Sequence, residues 1–292
     1  MAGIVDELKD SFRSGDMLTR LIYINVGVFL LVNIIMVFGF FANSDWSIVS
    51  WFTVPAAPGR LILQPWGLIT YMFLHEGFFH LLFNMVWLYF GGKIFLEYLN
   101  PKKLLSVYLL GGLAGAALYI LAYNLFPVFA NELAYSQALG ASAAVLAILI
   151  AIATFVPDYT VRLFLIGTVK LKHIAIFSVV LDLLSIPQGN AGGHIAHLGG
   201  ALFGFLYARQ LQKGSNLAVG FEKLLDRFFS LFKPKPKMRT AYKAKTRTEQ
   251  EFHERKASEK ATLDKILDKI SASGYDSLTK AEKEFLFKMN ND

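Results

Sequence analysis

Gln137-Ala138-Leu139-Gly140-Ala141-Ser142-Ala143-Ala144-Val145 opens a run that stays apolar as far as Val156 and is closed by Pro157. A lone serine between small residues, at the head of such a run, has two readings. It packs inside a membrane helix, its hydroxyl bonding back to the helix's own backbone. Alternatively it is a nucleophile, placed where small neighbours let a substrate backbone come close. The stretch alone leaves both open. What draws attention to the second is that two other apolar runs carry histidines at a similar depth.

Composition sets the setting. Of 292 residues, 54% are hydrophobic and 26 are Phe, and the mean hydropathy is +0.44, which with long uncharged runs indicates an all-α integral membrane protein. The chain has no cysteine, which excludes disulfides and thiolate metal sites. Met1 to Arg20 lacks the ordered regions of a removable signal peptide, so the first apolar run is expected to be a retained span. Six spans are expected near Leu21–Phe41, Phe78–Leu96, Leu104–Leu125, Leu139–Val156, His173–Ile186 and Gly193–Leu211.

An even number of spans puts both termini on one side. Of the 29 Lys and Arg residues, Arg60 alone falls on the other. By the positive-inside rule both termini are expected in the cytoplasm. The net charge of +7 is thus mostly topology plus a basic tail, and nucleic acid is not an expected partner.

The polar residues within the spans are few and ordered. His80 and Asn84 are four apart in the second span and share a helix face. The third span carries Gly111, Gly112 and Gly115, which suits close helix packing, and the fifth carries Asp182. In the sixth, His194 and His197 precede Gly200 and Gly204, a spacing of small residues that lets another helix approach. Spans two, four and six all run from outside to inside. Their polar groups therefore lie about 5–10 Å below the outer surface, which permits one cluster of Ser142, His197, His80 and Asn84. Between the first two spans, Ala42 to Leu74 forms a long outer loop with Trp46, Trp51, Trp66 and Tyr71, suited to the membrane interface.

Ser142 would be the nucleophile and neutral His197 its base. His80, Asn84 and the Ser142 backbone N–H would donate to an oxyanion. No acid is placed by sequence to orient His197, so a dyad is expected, with Asp182 lying below it as a packing or water-binding residue. His194 and His197 have no third ligand of suitable spacing, so neither a metal site nor a cofactor is expected.

These residues resemble a family. Gly140-x-Ser142 opening the fourth span, His80-x-x-x-Asn84 in the second and Ala196-His197-x-x-Gly200-x-x-x-Gly204 in the sixth look like the rhomboid intramembrane serine proteases of bacterial type. The resemblance covers residues 17–212. It implies a six-transmembrane-helix bundle, a Ser142/His197 dyad, and an oxyanion hole of His80, Asn84 and Ser142. It also implies Gly140, Gly200 and Gly204 as packing positions, and cleavage of transmembrane protein substrates near the outer leaflet of a bacterial cytoplasmic membrane. Two departures stand out: Ala143 follows the serine where the family usually has glycine, and the outer loop lacks the Trp-Arg pair of many relatives. Ala143 keeps a catalytically silent relative, one that only binds membrane proteins, as the alternative. A transporter or channel fits poorly, since no internal repeat is evident and the polar groups stop in the outer half.

Four regions are expected. Residues 1–16 form a cytosolic segment and 17–212 the membrane domain. Residues 213–248 combine an amphipathic helix (Leu217–Phe232) with the basic, Pro234- and Pro236-containing run Lys233–Arg247. Residues 249–292 read as a small helical hairpin with Gly274 at the turn and a Thr279-Lys280-Ala281-Glu282 capping box.

Overall fold

The computed structural model describes residues 3–43, 48–163, 167–232 and 249–289; Trp46 and the basic run 233–247 lie outside them. The chain divides into two compact units, Met1–Phe232 and Lys233–Asp292.

Among the described residues of the first unit, four helices are long and apolar enough to cross a membrane: Met17–Phe41, Phe78–Tyr98, Pro101–Leu125 and Leu171–Gln188. Their starts follow local chemistry. Asp16 accepts the Thr19 N–H at 2.8 Å, and Asn100 accepts that of Lys103 at 2.9 Å just ahead of Pro101 at the first helical position. Leu30, Phe38, Phe83, Phe177 and Leu181 are each more than half exposed, an apolar girdle that lipid covers.

Two further helices lie within the bundle. The serine helix, Ser142–Phe155, has 14 residues and is about 21 Å long, short of the ~30 Å hydrocarbon thickness. It starts later than the apolar run because Gly140 takes φ +130°, a conformation that breaks helix and suits glycine. Every side chain from Ala143 to Ala153 is buried. A helix that is apolar all round is one surrounded by protein. The other, Ala191–Gln212, is 22 residues long, and its glycines and histidines lower its hydropathy.

Small residues set how close these helices come. A Cβ on Gly200 would lie 2.1 Å from the Ala143 carbonyl oxygen, and one on Gly204 2.3 Å from that of Ala147. The serine helix is therefore in backbone contact with Ala191–Gln212. Gly111 and Gly115 of the Pro101–Leu125 helix receive the methyl groups of Ala147 and Ala143 in the same way.

The segment Ile48 to Leu74 is folded over this core. It forms short helices at Ile48–Phe52, Pro58–Leu63 and Gly67–Thr70, and Val54–Pro55 pairs antiparallel with Gln137–Ala138. The Tyr71 hydroxyl donates to Gly112 O at 2.6 Å, Asn124 donates to Ala56 O at 2.9 Å, and Trp66 Nε1 donates to Trp51 O at 2.7 Å. Trp51, Ile62 and Leu63 remain exposed. On the other side, a hairpin of Thr160–Leu163 with Gly167–Lys170 joins the serine helix to the Asp182 helix (Leu171–Ser185). Past the bundle, the amphipathic helix Val219–Phe232 is tied back by an ion pair between Asp226 and Lys102.

The second unit is a hairpin of Glu249–Ser273 and Lys280–Met289, turned at Gly274 with φ +78°. Its capping box forms: the Thr279 N–H donates to Glu282 at 2.7 Å and the Glu282 N–H to Thr279 Oγ1 at 3.4 Å.

Candidate active site

Ser142 is the first residue of its helix, so its N–H belongs to the first turn, which has no acceptor within the helix and sits at the positive end of the dipole. Its Oγ lies 2.6 Å from His197 Nε2. The approach depends on the glycine contacts described above: Gly200, three residues after His197, brings that helix against Ala143, the residue after the serine.

The other face of the His197 ring meets an acid. His197 Nδ1 is 2.8 Å from Asp182 Oδ1, and His194 Nδ1 is 2.8 Å from the same oxygen. Both expectations about this region are thus corrected. Asp182 is not below the cluster but against His197, and it is the third group converging with His194 and His197. Sequence spacing missed it because it lies in the preceding helix, where the turn at 186–190 folds it back alongside.

His80 and Asn84 approach from the Phe78–Tyr98 helix. A Cβ on Gly140 would sit 3.0 Å from His80 Nε2 and 3.5 Å from Ser142 Oγ, so the imidazole and the hydroxyl flank the bare Cα of that glycine. The Gly140 N–H donates to Tyr71 O at 2.9 Å, fastening the loop before Ser142 to the segment folded over the core. Asn84 is buried, and its Nδ2 spends one of two N–H donors on the His80 carbonyl at 2.9 Å.

The Ala143 side chain is 1% exposed, and its methyl packs against Gly115, where an added Cβ would lie 2.6 Å from it. The extra methyl is taken up by helix packing.

One residue near the cluster carried no sequence signal. His75 is buried, and its ring lies edge-on to that of His80 with centroids 5.1 Å apart. Burial first, and then the neighbouring His80, push its pKa down to about 4. It precedes the apolar run, outside the periodic pattern that brought out His80.

Comparison with known proteins gives the family. The Rhomboid domain family matches residues 63–213, which hold all of these groups. A family of unknown function, DUF6576, matches residues 246–289. The chain is 31% identical over 156 residues to RHOMBOID-like protein 12, mitochondrial, of Arabidopsis thaliana, over 50% of this chain and 46% of that protein. The matched part thus spans about half the length of that relative. With its membrane-spanning helices and a domain match across most of the bundle, the chain belongs to the rhomboid family of multi-pass membrane proteins.

Proposed function

We propose that this protein is an intramembrane serine endopeptidase, with Ser142 as nucleophile and His197 as base. The observation that carries the reading is the 2.6 Å contact between Ser142 Oγ and His197 Nε2. In the proposed cycle, Nε2 takes the hydroxyl proton as Oγ bonds to the scissile carbonyl carbon. The developing oxyanion accepts hydrogen bonds from the Ser142 N–H, His80 and Asn84. Collapse breaks the C–N bond, and the leaving amine takes the proton from His197. Water, deprotonated by the same nitrogen, then releases the acyl group and restores Ser142. Asp182 accepts the Nδ1–H of His197, which keeps Nε2 free to act as base.

Substrates in this reading are transmembrane segments of other proteins, entering through the bilayer within a six-span bundle and cut near its outer end. The distribution of basic residues supports both termini on the cytoplasmic side of a bacterial cytoplasmic membrane. The C-terminal unit holds no catalytic group in this scheme.

Labelling of the detergent-solubilised chain with a fluorophosphonate tests the proposal. The parent is expected to label, and Ser142→Ala and His197→Ala are expected not to. A parent that fails to label beside an active rhomboid in the same detergent would leave a membrane-protein-binding relative as the better reading.

A further inference from the structure

Asp182 Oδ1, His194 Nδ1 and His197 Nδ1 all lie within 4.8 Å of one another, on two neighbouring helices. Both imidazole side chains are 23% exposed and the carboxylate 13%, so the cluster is sheltered without being sealed. Two imidazole nitrogens and one carboxylate oxygen are the donor set of an open tetrahedral zinc site, with a fourth position left for water. Imidazole favours zinc and its neighbours over magnesium or calcium, which prefer oxygen cages.

We propose that Asp182, His194 and His197 bind zinc(II), and that binding switches Ser142 off. The inhibitory half rests on the protease reading above; the binding half does not. The chemistry follows from the tautomer of one ring. Without metal, the Nδ1–H of His197 donates to Asp182 and Nε2 accepts from Ser142. A metal ion on Nδ1 needs that nitrogen's lone pair, so the ring proton moves to Nε2. Nε2–H then faces Ser142 Oγ as a donor, with no lone pair to take the hydroxyl proton. The ion also occupies the Asp182 oxygen that orients the ring. His194 takes no part in the proposed cycle, which makes it the position that separates metal binding from catalysis.

The test uses the full chain in detergent, free of any polyhistidine tag. Cobalt(II) serves as a visible-absorbing stand-in for zinc, and fluorophosphonate labelling reads the serine. Cobalt is expected to give a tetrahedral absorption band in the parent that zinc displaces. In His194→Ala, and in His194→Gln should the first variant fold poorly, affinity is expected to fall by at least about 10–100-fold, the loss that even outer-shell changes produce. Zinc is expected to slow labelling of the parent at concentrations that leave the His194 variants labelling normally. Absence of the cobalt band, or equal zinc sensitivity in parent and His194 variants, would overturn the proposal. If the parent does not label at all, the protease reading fails, and the cobalt arm still decides whether the site exists.

Discussion

Asp182 Oδ1 stands 2.8 Å from His197 Nδ1, on the side of the ring opposite the nitrogen that touches Ser142. Three groups from three helices are thus in line, serine to imidazole to carboxylate. If the acid orients the base, Asp182→Asn should lower the labelling rate by about 10²-fold, the low end of what the base itself supplies. Ser142→Ala and His197→Ala should abolish it. The discriminating readout is a split on a peptide substrate: kcat falls while KM stays near that of the parent, because Asp182 is no part of the binding surface in this scheme. A change in KM alone would contradict the orienting role.

His75 gives a pH dependence outside the spans. Its folded pKa, about 4, lies below the ordinary 6.5, so the unfolded chain binds the proton first. The stability tied to the neutral ring is complete above pH 6.5 and is lost as the pH falls from there towards 4. The thermal midpoint in detergent should drop across that window. His75→Leu should flatten the drop, and a parent and variant with parallel profiles would show that the ring is not the titrating group.

The apolar runs, the lone Ser142 and the i, i+4 pair of His80 and Asn84 were legible because helix periodicity alone puts them at one depth. Gly200 and Gly204 were legible for the same reason. The role of Asp182 was not, since it depends on how tightly the turn at 186–190 returns the chain, a tertiary fact with no local pattern. His75 was missed because it precedes the apolar run, and its burial comes from a loop folded back over the bundle. The pairing of Thr160–Leu163 with Gly167–Lys170 was not legible either, because each strand has only 4 residues and Pro157-Asp158 ahead of them reads equally as the end of a helix. A serine-helix start at Ser142, past Leu139, follows from the positive φ of Gly140, which residue type permits but does not dictate.

Ala143 is the family departure with the plainest structural answer. Its methyl is buried against Gly115, so Ala143→Gly should leave the labelling rate within about twofold of the parent. The same change should cost stability, by about 1 kcal/mol, through helix propensity and the small void left behind. A large gain in labelling would show that the methyl obstructs the oxyanion site after all.

Gly140→Ala probes the site from the opposite direction. The new Cβ would meet His80 Nε2 at 3.0 Å in a backbone conformation, φ +130°, that L side chains rarely adopt. Relief requires either the loop before Ser142 to turn or the His80 ring to withdraw, and both displace a proposed oxyanion donor. Labelling should fall by about 10²-fold, the loss that follows removal of one such donor, while destabilisation stays near 1–3 kcal/mol, the usual cost of a strained φ. Gly200→Ala supplies the contrast. Its Cβ would strike the Ala143 carbonyl at 2.1 Å and push apart the two helices that carry Ser142 and His197. There the thermal midpoint and the labelling rate should fall together, because the same backbone contact holds the bundle and sets the 2.6 Å approach of base to nucleophile. If Gly140→Ala instead lost stability and activity in the same proportion as Gly200→Ala, the glycine two residues before the serine would be a packing position, and His80 would lose its place beside the oxyanion.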